Sequence, residues 1–459
     1  INNNGTFTIE SDATGTGSFI DNGTITGSGT ITVKKYLTEA RYWYVGSPIS
    51  NGTASSFGTL SSIPSTGTRM FYWNEVTQSY PNVNNGGDAL QVMRGYTFKK
   101  FDAGALTAIF TGTLNTGTQG NPSNLTRSGA GSFNGFNLIC NPYPSAIDWG
   151  SQSSPAPGMT HTNLAPSVWY RSGAVLATYN WVSGLGQNGG QQYIPAMQAF
   201  WVNVFGGPTG GVEFTNATRI HSAHAFYKGS SIEEKVFRIE VQRDSLKDEA
   251  VILLHESALN EYDPYDSPKM FTTDNTYPQI YTFTEDSVKC AINGVTAIIP
   301  GEIRIMPLGF LTKVADTMTL VATNLNYLNQ EISVFLEDLQ TSKLIDLRQE
   351  DTYTFYSGVV DNADRFRLHF GTFTTQVSET NKEFQITTYS YHSSIYINAE
   401  IKENYSIKVF DLLGNCFISQ INNSGFQKID MVVAQGIYIV KIHCNNKLIT
   451  SKVFVEKAN

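Results

Sequence analysis

Ile407-Lys408-Val409-Phe410-Asp411 reads as a strand, runs into Leu412-Leu413-Gly414-Asn415, and a new strand starts at Cys416. Successive side chains of a strand point to opposite faces, so Ile407 and Val409 share one face and Lys408 takes the other. Gly-Asn takes positive φ cheaply and closes a hairpin. Gly436-Ile437-Tyr438-Ile439-Val440-Lys441-Ile442 is a second hairpin-fed strand, and Asn445-Asn446 turns it into a last strand ending near Val455. The pattern predicts strands over residues 394–399, 405–411, 416–421, 436–443 and 447–456. They form a compact antiparallel sandwich over residues 383–459, a length able to fold alone.

Working toward the N-terminus, residues 372–382 are polar and aperiodic and read as a linker. Residues 206–371 carry strand patterns at Val236-Phe237-Arg238-Ile239-Glu240-Val241, Ala250-Val251-Ile252-Leu253-Leu254 and Ile332-Ser333-Val334-Phe335-Leu336, and close on Arg365-Phe366-Arg367-Leu368-His369-Phe370. They read as a second β-sandwich. Residues 36–205 alternate short aromatic strands, such as Arg41-Tyr42-Trp43-Tyr44-Val45 and Ala199-Phe200-Trp201-Val202, with Gly, Pro and Asn turns. That density of turn signals predicts an aromatic-rich sandwich, with a long surface loop over 150–166.

Residues 1–35 repeat one phrase: Gly5-Thr6-Phe7-Thr8-Ile9, Gly23-Thr24-Ile25-Thr26-Gly27 and Gly29-Thr30-Ile31-Thr32-Val33. Rungs of a β-solenoid read this way, although three short copies bury little alone and a Thr-rich linker is the alternative. The fold class is all-β: tandem β-sandwiches, preceded by the end of a β-solenoid-like repeat and closed by a small C-terminal sandwich. No helical period runs beyond about two turns. The start at Ile1, without Met or signal peptide, reads as a mature or truncated piece of something longer.

Composition agrees. Only 15% of the 459 residues are charged, against 41% apolar and 12% aromatic. Strand and turn formers take the place of surface-helix formers. The length predicts two to four domains. A net charge of −8 argues against nucleic-acid binding, which needs a basic stripe. No apolar run of about 18 residues predicts a membrane-spanning helix. Four cysteines are too few for a disulfide scaffold. Cys140 reads as a buried thiol, and Cys416 and Cys444 could meet across a sheet.

Val409-Phe410-Asp411 with Gly414, then Gly436-Ile437-Tyr438-Ile439-Val440, then Lys452-Val453-Phe454-Val455 resemble, in this order, the type A C-terminal sorting domain of type IX secretion cargo from Bacteroidota. Asn415-Cys416 departs from the charged residue such domains usually carry after the Gly. Upstream, Gly135-Phe136-Asn137-Leu138-Ile139-Cys140-Asn141-Pro142-Tyr143-Pro144 with Ile147-Asp148-Trp149 resembles modules of large surface proteins that carry this tail.

The resemblance implies an Ig-like sandwich as export and anchoring signal. It implies passage through the periplasm and a large outer-membrane translocon, recognition by a PorV-like shuttle barrel, and an extracellular or outer-membrane-surface destination. Removal of the domain near 372–382 and attachment to lipopolysaccharide would fit. It implies Val409, Asp411, Gly414, Asn415, Gly436, Tyr438 and Lys452 as the sorting motif. It implies no reaction.

Catalytic signals are sparse. The seven histidines make no HExxH; His221 and His224 have a zinc-compatible spacing on a helix but sit in loop or strand context. No GxSxG or Gly-Lys-Ser/Thr loop occurs. Asp263 and Asp266, with Glu261 before them, are a candidate calcium loop, the alternative being turn capping and an ion pair to Lys269. Asp361-Asn362-Ala363-Asp364 is a second such loop. No other cofactor is expected.

All six Trp fall in residues 36–205, and Trp43, Trp73 and Trp149 are candidates for a sugar-binding face. Asp244-Ser245-Leu246, Asp286-Ser287-Val288 and Asp316-Thr317-Met318 resemble a short O-glycosylation signal. The functional expectation is a non-enzymatic, adhesin-like or structural surface protein. The alternatives are the accessory end of a secreted hydrolase and a set of carbohydrate-binding modules.

Overall fold

The computed structural model describes all residues except 40, 62–66, 130, 132, 152–153, 173–174, 222–234, 300–301, 372–385, 392, 400–403, 423–424, 445–446 and 456–459. The linker expected over 372–382 and the Asn445-Asn446 turn lie outside the described residues. The chain divides into two units, Ile1–Ser230 with Asp263–Asp274, and Ser231–Tyr262 with Asn275–Asn459.

In the first unit, Thr6–Ile9 pairs in parallel with Thr30–Leu37, placing Thr6 beside Thr30 and Ile9 beside Val33. The first copy of the repeat thus lies beside the third. The other edge of Thr30–Leu37 is taken antiparallel by Leu106–Thr111, with Val33 opposite Phe110. Ile9, Val33 and Leu37 share one core with Val45, Phe57, Phe98 and Phe110. The expected boundary at 35/36 therefore falls inside a strand. Thr-rich rungs too short to bury their own apolar side chains are completed by the following sheet.

The boundary expected at 205/206 also moves. Thr209–Phe214 pairs with Gln119–Thr126 and with Met159–Thr162, and Val212 and Phe214 lie in the core beside Trp149. Residues 263–274 belong to this unit as well. Trp169 Nε1 donates to Pro268 O at 3.0 Å, and Asn180 Nδ2 to Asp266 O at 3.0 Å.

The second unit holds two cores. Ten strands follow one hydrogen-bonded path from Lys343–Asp346 to Thr352–Ser357. Side chains near both ends, Val334 and Leu336 at one and Tyr353 and Phe355 at the other, enter the same core. The expected second sandwich is thus a single sheet, curled into a nearly closed barrel. Gly309 faces Tyr281 across the sheet; a Cβ there would lie 2.2 Å from the tyrosine ring, so the ring's flat seat requires glycine.

The C-terminal sandwich forms as the sequence predicts. Cys416–Asn422, Tyr405–Asp411, Gly436–Cys444 and Lys447–Val455 make one sheet; Ile386–Tyr391, Ser394–Ala399 and Gly425–Asp430 make the other. Ile395, Ile397, Ile407, Val409, Val440 and Val455 fill the core between them. Cys416 and Cys444 form no disulfide. Cys416 lies opposite Phe410, which in turn faces Ile439, so the two thiols sit at opposite ends of the sheet.

This sandwich docks on the barrel through aromatic rings. Tyr389 and Tyr396 stack at 5.0 Å, and Phe335 of the barrel joins them at 6.5 Å from Tyr389. His369 is buried there, Nε2 2.8 Å from Glu337 Oε2 and Nδ1 3.0 Å from the Tyr389 hydroxyl. Burial holds the imidazole below its ordinary range against the opposing pull of Glu337, and Arg367 adds to the lowering. Burial also keeps the Tyr389 phenol protonated, so it donates to Nδ1 while Nε2–H donates to the carboxylate.

A folded imidazole that binds protons less readily than the unfolded one, near ~6.5, makes stability rise with pH across the interval between the two. Docking should therefore weaken as pH falls below about 6.5. Thermal melting at pH 7.5 and 5 should show a drop that His369→Gln flattens; an equal drop in the variant would remove His369 as its source.

Candidate functional site

The sheet of Tyr42–Val45, Tyr96–Lys100, Thr68–Tyr72 and Asn82–Val83 carries aromatic side chains on both faces. Trp43, Val45, Met70, Tyr72, Tyr96 and Phe98 turn to the core. The period of two sends Tyr42, Tyr44, Phe71 and Thr97 to the other side. There they form one wall of a cleft of about 370 Å³. Trp201, Arg171 and Leu176 of the five-stranded sheet line it as well, together with Trp73, Tyr80 and Phe133. Met270 adds a sulfur beside the rings, a contact thioethers favour.

The rings are locked. Trp73 lies 5.4 Å from Trp201, 5.9 Å from Phe133 and 5.0 Å from Tyr80, all tilted or edge-on. Its Nε1 donates to Phe136 O at 2.8 Å. Glu75 fixes the loop that carries Phe133: its Oε1 accepts from Gly135 N at 2.9 Å and Ser128 N at 2.9 Å, and Oε2 from Thr126 Oγ1 at 2.9 Å. Burial would raise this carboxyl, but these bonds hold it below its ordinary range. Neither Glu75 nor Arg171 is signalled by any motif, because each acts through residues distant in sequence.

Of the candidate sugar-facing tryptophans, Trp73 lines the cleft. Trp149 does not: it is 1% exposed, and its Nε1 donates to Pro166 O at 2.8 Å. A partner for the indole N–H lets the whole ring be buried. Trp43 points away from the cleft, packed on the core with the Arg41 guanidinium 3.8 Å from its ring.

The Asp263–Asp266 loop is a set of caps. Asp263 Oδ1 accepts from Tyr265 N at 2.7 Å, and Asp266 Oδ2 from Asp263 N at 2.8 Å. Among the described residues no three His, Cys, Asp or Glu group as metal ligands. His224 lies outside the described residues, while His221 Nδ1 is 2.9 Å from Ser18 Oγ. The residues Ser245, Ser287 and Thr317 are exposed. Cys140 is buried, its thiol pushed up to about 12 by burial, in an unreactive setting.

In the C-terminal sandwich the motif residues divide. Val409 and Tyr438 are buried, the Tyr438 hydroxyl donating to Ala434 O at 2.7 Å. Asp411 Oδ1 accepts from Leu413 N at 2.9 Å and Asn415 N at 2.8 Å, and Oδ2 from Asn415 Nδ2 at 2.8 Å. Those bonds, the Asn415 side chain's first, lower its pKa. Gly414 has φ +90°, which explains the glycine. Gly436 opens its strand opposite Val455, and exposed Lys452 pairs with Ile439. Leu412, Leu413, Phe417, Ile437 and Phe454 are exposed around this sheet.

A small sandwich with its own core, this turn and a terminal strand defines the exported cargo of a type IX secretion system. Residues 391–456 match the family described as secretion system C-terminal sorting domain. Residues 1–370 match the family described as domain of unknown function (DUF8693), and the chain belongs to that family. The chain therefore leaves the cell, and its last domain engages the type IX machinery. No curated protein matches the chain. Among solved structures, the BSP domain of a biofilm-associated protein is similar over 92% of this chain and 97% of its own, at 9% identity and a TM-score of 0.19. Dimeric latent PorU from Porphyromonas gingivalis is similar over 66% of this chain and 34% of its own, at 8% identity and a TM-score of 0.16.

Proposed function

We propose that this chain is an adhesin-like surface protein that binds a glycan through its first unit and does not catalyse a reaction. The aromatic cleft carries this reading. Locked rings offer stacking surface at little entropic cost. The described lining includes no carboxylate, imidazole or thiol, so it is equipped to hold a ligand more than to transform one. A PorV-like shuttle barrel at the outer membrane would grip the sorting domain at the Asp411–Asn415 turn and the apolar side chains around it. Lipopolysaccharide attachment would then keep the protein on the cell.

The test compares the full chain with a chain lacking residues 391–459 in a host with an active type IX system. The full chain should be protease-accessible on intact cells, and the truncated one should stall in the periplasm. Cells displaying the full chain should adhere to glycan-coated surfaces, and Trp73→Ala should reduce that adhesion. Equal surface exposure of both chains would refute the delivery route; adhesion no better than that of non-displaying cells would refute the adhesin reading.

A further inference from the structure

Building on the binding role proposed for this cleft, we infer that it takes a carboxylated sugar, a uronic-acid-type residue of an acidic glycan. The sheet register supplies the first argument. Tyr44 and Phe71 both flank Thr97, and one step along the same face Tyr42 and Arg69 both flank Lys99. The wall thus carries a row of rings around a hydroxyl, bordered by a basic row. The Lys99 ammonium lies 4.4 Å from the Tyr42 ring centroid, at the edge of the cleft.

Arg171 supplies the second. It lines the cleft, forms no ion pair among the described residues, and its Nε is buried without a hydrogen-bond partner. A nearby cation, Arg41, is already paired with Glu39 at 3.3 Å and repels Arg171. A guanidinium with no carboxylate partner among aromatic rings is free to take an anion, and its planar fork matches a carboxylate through two parallel bonds.

Trp201 supplies the third. Its ring is 2% exposed and lines the cleft, yet its Nε1 has no partner. A buried donor left unpaired costs free energy, and a ligand oxygen would offset that cost where a shift of the neighbouring side chains brings it within reach. The chain as a whole carries −8 charges, whereas the described lining has a cation and no carboxylate. That local inversion selects an anion. The flat apolar faces of a pyranose match rings that are already rigid.

The experiment titrates the full chain with trigalacturonic acid and with its methyl ester, followed by calorimetry. The acid should bind at least about tenfold more tightly than the ester, the scale of a charge-assisted bidentate pair. Arg171→Gln should abolish that preference with the thermal transition unchanged, Arg171→Lys should restore part of it, and Trp73→Ala should weaken both ligands. Equal binding of acid and ester, or a preference that survives Arg171→Gln, overturns the acidic-sugar inference while leaving a neutral-glycan site standing. Binding of neither also overturns it, and the adhesion assay then decides separately whether the first unit binds glycans.

Discussion

Asp338→Ala is expected to remove about 3–5 kcal/mol from the second unit, the usual cost of stranding one partner of a buried ion pair. Asp338 is fully buried and Arg365 nearly so. Arg365 Nε donates to Asp338 Oδ1 at 3.2 Å and its terminal nitrogen to Oδ2 at 3.0 Å. The Tyr353 hydroxyl reaches Oδ2 at 2.9 Å, and Arg365 also donates to Tyr356 O at 3.0 Å. The position explains the size of the effect. Asp338 ends the Ser333–Asp338 strand near one end of the curled sheet, and Tyr353 and Tyr356 lie on the strand at the other. The cluster closes the barrel where backbone hydrogen bonds do not.

Alanine would leave a guanidinium in the core against the Phe355 and Phe366 rings, 4.5 and 4.8 Å away. Guanidinium denaturation should show a lower midpoint. Arg365→Met combined with Asp338→Leu should recover much of the loss, since apolar replacements remove the stranded charge. A loss under about 1 kcal/mol in Asp338→Ala, the range of an exposed pair, would show that water reaches the cluster. The pH dependence has a definite sign. Burial alone would raise the Asp338 carboxyl, but the Arg365 and Tyr353 bonds hold it below its ordinary range. Its contribution is therefore present above about 3.9 and lost as pH falls through the lower folded value, an acid limb the variant should lack.

How far the residues announce this architecture depends on how local each signal is. The sorting domain is legible because its information is local: alternation gives the strands, and Asp411, Gly414 and Asn415 give the turn. Gly425–Asp430 is not anticipated, although it supplies an edge strand of one sheet. The barrel is less legible. Strand patterns from Val236 to Phe370 are visible, but closure depends on Asp338, Tyr353 and Arg365 meeting across the sheet. The return of residues 263–274 to the first unit rests on bonds to Trp169 and Asn180, which spacing does not reveal.

The cleft shows how one residue of phase decides a site. Arg41-Tyr42-Trp43-Tyr44-Val45 announces an aromatic strand, and the largest ring draws attention to Trp43. The strand is apolar on both faces, so composition does not say which face is core. Pairing with Tyr96–Lys100 sends Trp43 inward and Tyr42 and Tyr44 to the cleft. A shift of one residue would reverse the assignment. Trp73 keeps its place because Phe136 O, far along the chain, receives its N–H.

Arg219→Met should have a comparable effect on the first unit, about 3–5 kcal/mol, because it strands Asp21 in a nearly closed site. The Arg219 side chain is fully buried and that of Asp21 is 10% exposed, and the two are in direct contact. The guanidinium also donates to Phe19 O at 2.7 Å, Asn216 Oδ1 at 2.9 Å and Ser145 Oγ at 3.2 Å, and lies 4.7 Å from the Tyr143 ring centroid. One side chain thus ties the repeat segment at Phe19–Asp21 to the body of the unit. If the repeat were an independent solenoid end, breaking this tie would free it and leave the body's stability almost unchanged. Because Ile9 and Val33 share a core with Phe98 and Phe110, both should fail together. Hydrogen exchange at Gly29 and Thr30, whose amides bond to Asn3 O and Gly5 O, should accelerate in step with amides of the Tyr96–Lys100 strand. Acceleration confined to the first 37 residues would restore the repeat as a separate domain. Coupled acceleration, partly reversed by adding Asp21→Leu, would establish that the rungs are held by the sheet they complete.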